Sequence, residues 1–308
     1  MAFRRMVRPG FVQLRVLDLD KTLNFYKNIL GLDEVGSTRD GRIMLKAYDE
    51  FDHHSVVLRR SKHAGLDYVG FKVMDEEQLE EIKVNTEKFG YKVTEIPANT
   101  EQPGIGKQYK FTLCTGHEIH VYCDVDLAKD HPQLKNPDIW TKPPRGMKVT
   151  MLNHIMLYGP GIEEAERFMV EVFGMFVPEI CNNPNGKRLA TWLTGNSKSH
   201  DVTFVEYTRP NTLHHVGFHL QTSEDLLHAA DLIAVNNLKL DVGPTRHAIT
   251  RELTIYFWDP SGNRLETHSG GYIAYPDHPQ RVWDADRLGR GLFYFSGEIV
   301  PSFLENVA

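Results

Sequence analysis

Apolar and polar positions follow two rhythms along this chain, and the rhythms recur in the same order four times. A period-2 stretch, which sends successive side chains to opposite faces of a strand, comes first. A turn and a 3.6-period stretch ending near a glycine follow. The four pairs are VQLRVLD (12–18) with DKTLNFYKNILGL, LDYVGFKVMD (66–75) with EEQLEEIKVNTEKFGY, NHIMLYG (153–159) with GIEEAERFMVEVFGM, and LHHVGFHLQ (213–221) with TSEDLLHAADLIAVN. Leu23, Tyr26 and Leu30 show the helical spacing. Gly31, Gly90 and Gly174 stand where a helix end takes φ > 0. Each unit thus predicts a strand, a helix and further strands, an α+β plan.

The first half also matches the second. YVGF (68–71) aligns with HVGF (215–218), HHSVVL (53–58) with SHDVTF (199–204), and FTLCTGHEIH (111–120) with FWDPSGNRLE (257–266). The offset is 146 or 147 residues (His54 to His200, 146; Tyr68 to His215, 147; His120 to Glu266, 146). Self-similarity at a fixed offset indicates a duplicated unit. Residues 124–148, rich in Pro and charge, break the pattern and read as a linker. The expected division is an N-terminal domain at 1–123, a C-terminal domain at 149–270 and an extension at 271–308.

Composition narrows the function. The 308 residues carry a net charge of −6, which gives nucleic-acid binding no electrostatic basis. No apolar run approaches the roughly 20 residues of a membrane span. Arg4–Arg5 precede no apolar stretch, so no secretory signal is expected. Three cysteines are too few for a disulfide framework, and a reducing cytoplasm is the expected location. Fifteen histidines are many, and their placement matters more than their number.

In LHHVGFHL, strict alternation puts His214, Val216, Phe218 and Leu220 on one face, and Leu213, His215, Gly217 and His219 on the other. The first face is mostly apolar and should pack on helices. The second should face a cavity, which favours His215 over His214 as a metal ligand. Across the repeat, His154, His215 and Glu266 correspond to Gln13, Tyr68 and His120. The second-half set consists of metal ligands and the first-half set does not, so only the second half should bind metal. Two His and a carboxylate with open positions form the facial triad of non-haem Fe(II) sites. Ligand softness does not exclude Mn(II), and Zn(II) would bind such a set more tightly. The stretch DPSGN (259–263) suits a turn that brings the strands of Tyr256 and Glu266 to one cavity.

Tandem βαβββ modules resemble the vicinal-oxygen-chelate superfamily, over residues from about 9 to 270. That resemblance implies four such modules in two tandem domains, each a curved open sheet with helices outside. Residues 245–266, TRHAITRELTIYFWDPSGNRLE, resemble the extradiol ring-cleavage signature, with Thr245, His247, Ile255, Tyr256, Asp259, Pro260, Gly262 and Glu266 in register. VRPGFVQLRVLDLDKTL, LDYVGFKV, NHIMLYG, SHDVTFVE, LHHVGFHL and LDVGPTRH are similar to segments of the catechol 2,3-dioxygenase family. The resemblance implies Fe(II) as cofactor, and a catechol and O2 as substrates. Cleavage beside the diol would give a 2-hydroxymuconic semialdehyde in aromatic catabolism. It makes His200 the distal acid–base residue, and gives His247 and Tyr256 hydrogen bonds to the bound catecholate. It also implies a homo-oligomer, commonly a tetramer. His53, His54, His63, His117, His131, His219, His228 and His268 are expected to be structural. The rival readings are another metalloenzyme of the superfamily, such as a glyoxalase or thiol transferase, and a non-enzymatic binding protein of the same fold.

Overall fold

A computed structural model describes residues 7–140, 142–305 and 307–308. Arg4 and Arg5 lie outside the described residues. The first half forms one sheet of β1 (Arg8–Val16), β2 (Asp33–Ser37), β3 (Ile43–Lys46), β4 (Val56–Arg60), β5 (Gly65–Lys72), β6 (Thr94–Ile96), β7 (Gln108–Thr112) and β8 (Glu118–Tyr122). Its helices are α1 (Leu19–Phe25), prolonged by a π-helical turn (Tyr26–Leu30), and α2 (Glu76–Phe89). The second half forms a sheet of β9 (Met151–Gly159), β10 (Phe176–Asn182), β11 (Arg188–Thr194), β12 (Val202–Glu206), β13 (Thr212–His219), β14 (Leu240–Arg246), β15 (Glu252–Trp258), β16 (Arg264–Gly270) and β17 (Arg281–Asp284). Its helices are α3 (Ile162–Glu171), α4 (Ser223–Val235), α5 (Leu288–Leu292) and α6 (Pro301–Glu305).

The strand order is β2-β3-β4-β1-β5-β8-β7-β6 in the first sheet and β14-β15-β16-β13-β9-β12-β11-β10-β17 in the second. Read in the opposite direction, the second order repeats the first, with β17 added at the edge. The duplication legible in the sequence is therefore a duplication of topology: two tandem α+β domains, each a curved sheet with helices on its core side. In each half the first strands of the two modules meet antiparallel at the centre, β1 on β5 and β9 on β13.

Local chemistry sets the helix limits. Asp18, Asp75 and Thr222 accept the backbone N–H of Lys21, Gln78 and Asp225, capping α1, α2 and α4. The three expected glycines, Gly31, Gly90 and Gly174, all have positive φ. Helices α1 to α4 turn their apolar stripes onto one continuous core shared by both halves. Three of them lie at the junction. Phe25 of α1 reaches Phe257 of β15, and Phe168 of α3 packs edge-on to Phe89 of α2. The buried rings of Phe25, Phe168 and Phe257 each contribute about 2–3 kcal/mol by leaving water.

Strict alternation fails at matching positions of β5 and β13. On β5, Leu66 faces Leu14 and Tyr68 faces Gln13, so Asp67 is an extra residue. On β13, Leu213 faces Leu157 and His215 faces Met156, so His214 is extra. These are β-bulges at equivalent points of the repeat. The bulge corrects the face assignment for His214. Leu213, Val216 and Phe218 face the core together. His214 is turned out of that core, stacked on Tyr158 and edge-on to Phe303.

Residues 124–148 contain no helix or strand among those described, only isolated bridges at Val125 and Leu127. Residues beyond 270 are integral to the second half. β17 pairs in parallel with β10, and Ala308 exchanges two backbone hydrogen bonds with Leu213 at 3.0 Å each. The DPSGN turn is tight, with Gly262 N–H on the Asp259 carbonyl. It also fastens the halves. Ser261 accepts Leu17 N–H at 2.9 Å, and Asn263 accepts Gly65 N–H at 2.8 Å.

Candidate metal centre and its cleft

β9, β13 and β16 lie side by side, and Gly217 of β13 pairs with His154 on one side and Glu266 on the other. A Cβ on Gly217 would sit 2.2 Å from His154 Cε1. Only glycine leaves room for that imidazole beside the carboxylate. His154, His215 and Glu266 are each 1% exposed. His154 Nε2 lies 2.8 Å from Glu266 Oε2 and 3.1 Å from His215 Nε2, and His215 Nε2 lies 3.1 Å from the same oxygen.

The outer contacts define which nitrogens carry protons. His214 Nε2 can only donate to the Phe303 carbonyl at 2.7 Å, which leaves its Nδ1 as an acceptor. His215 Nδ1, 2.6 Å away, is then the donor, and His215 Nε2 keeps a lone pair. His154 Nδ1 donates to Asn153 Oδ1 at 3.1 Å, so its Nε2 is also bare. Thr254 donates to the far oxygen of Glu266. Two lone pairs and a carboxylate oxygen thus converge in a buried pocket with no proton among them. That arrangement is repulsive unless a cation sits between them, and the donor set fits a divalent metal. Burial pushes His215 down to about 4 against the pull of Glu266.

The other expected residues line the open side of this cluster. His200 packs against His154 with ring centroids 4.1 Å apart, and burial drives its pKa well below the ordinary value. His247 Nδ1 donates to the Leu292 carbonyl at 2.5 Å, so its Nε2 accepts the Tyr256 hydroxyl at 2.8 Å. Burial, and then Glu266, raise the Tyr256 pKa well above 10.0. Met156, Trp192, Ile249, Leu292 and Phe303 complete the walls. Leu292 and Phe303 come from the segment after residue 270, where no motif marks them. Ser199, Thr250 and Glu252 also border the cavity or its histidine and carry no sequence signature.

The equivalent point of the first half is filled differently. Tyr68 donates to Gln13 Oε1 at 2.7 Å and stacks on His120 at 4.0 Å. Arg42 inserts its guanidinium there, 2.9 Å from Gln13 Oε1 and 2.5 Å from Glu101 Oε1. The only other cluster of potential ligands among the described residues is Glu76, Cys123 and Asp124, two of them exposed.

Fold and cluster together define a metal-dependent enzyme built on tandem βαβββ modules. Residues 66–126 match the catechol 2,3-dioxygenase-like N-terminal domain, and residues 151–267 match the glyoxalase/bleomycin resistance protein/dioxygenase superfamily. The chain is 39% identical over 300 residues to a metapyrocatechase of Pseudomonas sp. (strain CF600), covering 97% of each protein. It is 28% identical to a manganese-dependent 2,3-dihydroxybiphenyl 1,2-dioxygenase of Geobacillus genomosp. 3, over 95% of this chain and 94% of that one. Among solved structures, the 2,3-dioxygenase LapB of Pseudomonas sp. KL28 superposes with a TM-score of 0.88 at 40% identity, covering 91% of this chain and 97% of LapB. The chain belongs to the metapyrocatechase, or catechol 2,3-dioxygenase, family of extradiol dioxygenases. Its reaction is the meta-cleavage of catechols with O2, and neither rival reading is supported.

Proposed function

We propose that one Fe(II) is held by His154, His215 and Glu266, and that His200, His247 and Tyr256 carry the acid–base and orienting roles in catechol cleavage. The observation that carries this reading is the proton arrangement of the cluster: two bare Nε2 atoms and a carboxylate aimed at one point. Bound there, Fe(II) would lower the pKa of a chelated catechol hydroxyl and bring O2 beside the ring. The remaining roles belong to the chain. Tyr256 and His247, 2.8 Å apart, form a donor–acceptor pair that orients one catechol oxygen and can take up its proton. His200, kept neutral by burial, is placed to hold and return a proton on the opposite side. Met156, Trp192, Ile249, Leu292 and Phe303 grip an uncharged ring and exclude water.

The test is metal analysis of purified protein combined with an anaerobic catechol titration and an oxygenated assay. About one iron per chain and a yellow ring-opened product are expected. Metal-stripped protein regaining activity with Mn(II) and not with Fe(II) would replace iron by manganese, the alternative favoured by the manganese-dependent relative. The division at 124–148, a cytoplasmic location and a tetrameric assembly belong to the same reading. Sedimentation analysis tests the last.

A further inference from the structure

We propose that Ser199 and Glu252 are positioning residues that set the tautomer of His200; this rests on the acid–base role given to His200 above. Ser199 Oγ lies 2.9 Å from His200 Nδ1 and donates to Glu252 Oε1 at 2.8 Å. Glu252 is 3% exposed, and its second oxygen accepts the Thr250 hydroxyl at 2.9 Å. A carboxylate can only accept, and a serine has one proton to give. With that proton committed to Glu252, Ser199 can only accept from His200. The proton of neutral His200 is therefore on Nδ1, and Nε2 carries the lone pair available for proton transfer.

Two further observations separate this arrangement from ordinary packing. Thr250 and Arg251, in the turn before Glu252, have φ of 59° and 63°. A β-branched residue in that region is strained and persists only where its surroundings hold it. Thr250 is held by its hydroxyl on Glu252 and by its N–H on Glu179 Oε1 at 3.1 Å. The arrangement is also absent from the first half. There the residue matching Ser199 is His53, whose Nδ1 faces His54 Nδ1 at 2.9 Å, and the offset of 146 takes Glu252 to Gly106. The Ser–Glu pair occurs only beside the histidine that borders the metal cluster.

A double-mutant cycle on the iron-loaded enzyme tests this. Ser199→Ala is expected to lower kcat about tenfold, the effect of losing one orienting hydrogen bond, with the KM for catechol unchanged. Ser199→Thr should restore the rate. In a His200→Asn background, Ser199→Ala should have no further effect. An equal loss in both backgrounds, or a normal kcat for Ser199→Ala, would overturn the proposal. A normal rate for His200→Asn alone would instead remove the role of His200 itself. If Ser199→Ala does not fold, Ser199→Thr against the isosteric Ser199→Val makes the same comparison.

Discussion

At the scale of single residues, His200 separates substrate binding from oxygen chemistry. Glutamine at this position keeps a hydrogen-bond donor but cannot carry a proton near neutral pH. His200→Gln is expected to bind catechol with near-normal affinity, because it is not among the three clustered donors. The oxygen-dependent phase, followed by stopped flow, should slow by a factor on the order of 10²–10⁴. A normal rate with a lowered melting temperature would make His200 a packing residue. Alanine at His154, His215 or Glu266 should each abolish metal retention with the fold kept. His214→Ala should weaken it about 10–100-fold, because His214 orients His215 through a 2.6 Å contact without reaching the cluster. Equilibrium dialysis distinguishes the two outcomes. Retention in His215→Ala and complete loss in His214→Ala would reverse their roles.

At the scale of elements, the two sheets use one backbone for opposite ends. β1, β5 and β8 bring Gln13, Tyr68 and His120 together as β9, β13 and β16 bring His154, His215 and Glu266. In the first half a guanidinium supplies the positive charge that the second half's donor set calls for. Arg42 pairs there with Glu101, and burial, which disfavours its charge, is more than offset by Glu101 and Asp40. Metal content should therefore stay near one equivalent per chain, in the wild type and in Arg42→Met alike. The variant should melt at a lower temperature, since Glu101 and Gln13 lose their partner. A reproducible second equivalent in either protein would contradict this account.

At the scale of the molecule, buried histidines within the first half and at its contact with the second should make the fold sensitive to acid. His117 lies in the turn between β7 and β8, between Thr115 Oγ1 at 2.9 Å and the Thr212 carbonyl at 3.1 Å. Burial pushes both His117 and His54 down to about 4. In the unfolded chain the same groups titrate near 6.5. Below 6.5 the unfolded state takes up protons that the folded state refuses, so this stability is present above 6.5 and is lost as pH falls toward about 4. Each group costs up to about 1.4 kcal/mol per pH unit across that window. Urea unfolding at pH 7, 6 and 5 should show the loss. His117→Gln should flatten it, lowering stability at pH 7 and reducing the slope below 6. An unchanged slope in that variant would assign the acid sensitivity elsewhere.

The sequence by itself determined the order of strands and helices and their duplication, and named the residues that meet at the cluster. Period-2 and 3.6 patterns are local, and a duplicated chain carries its own alignment, so equivalent positions on three strands could be compared without coordinates. The same comparison showed that the first-half set was a poor one. What it could not show was Arg42 entering that cleft, because Arg42 lies on the strand-poor stretch between β2 and β3, outside any repeated motif. Nor did alternation reveal the bulge at His214, since one extra residue leaves the composition of a strand unchanged and alters only its pairing. The closure of the cleft by Leu292 and Phe303, and the Ser199–Glu252 contact, depend on segments 45 to 89 residues from the groups they touch or support. Such contacts arise from how the sheets and the terminal segment pack, and no local pattern encodes them. The candidate ligands were legible because chemistry restricts metal ligation to a few residue types. Their supports were not, because many residue types can donate a hydrogen bond, and only the tertiary structure decides which one arrives.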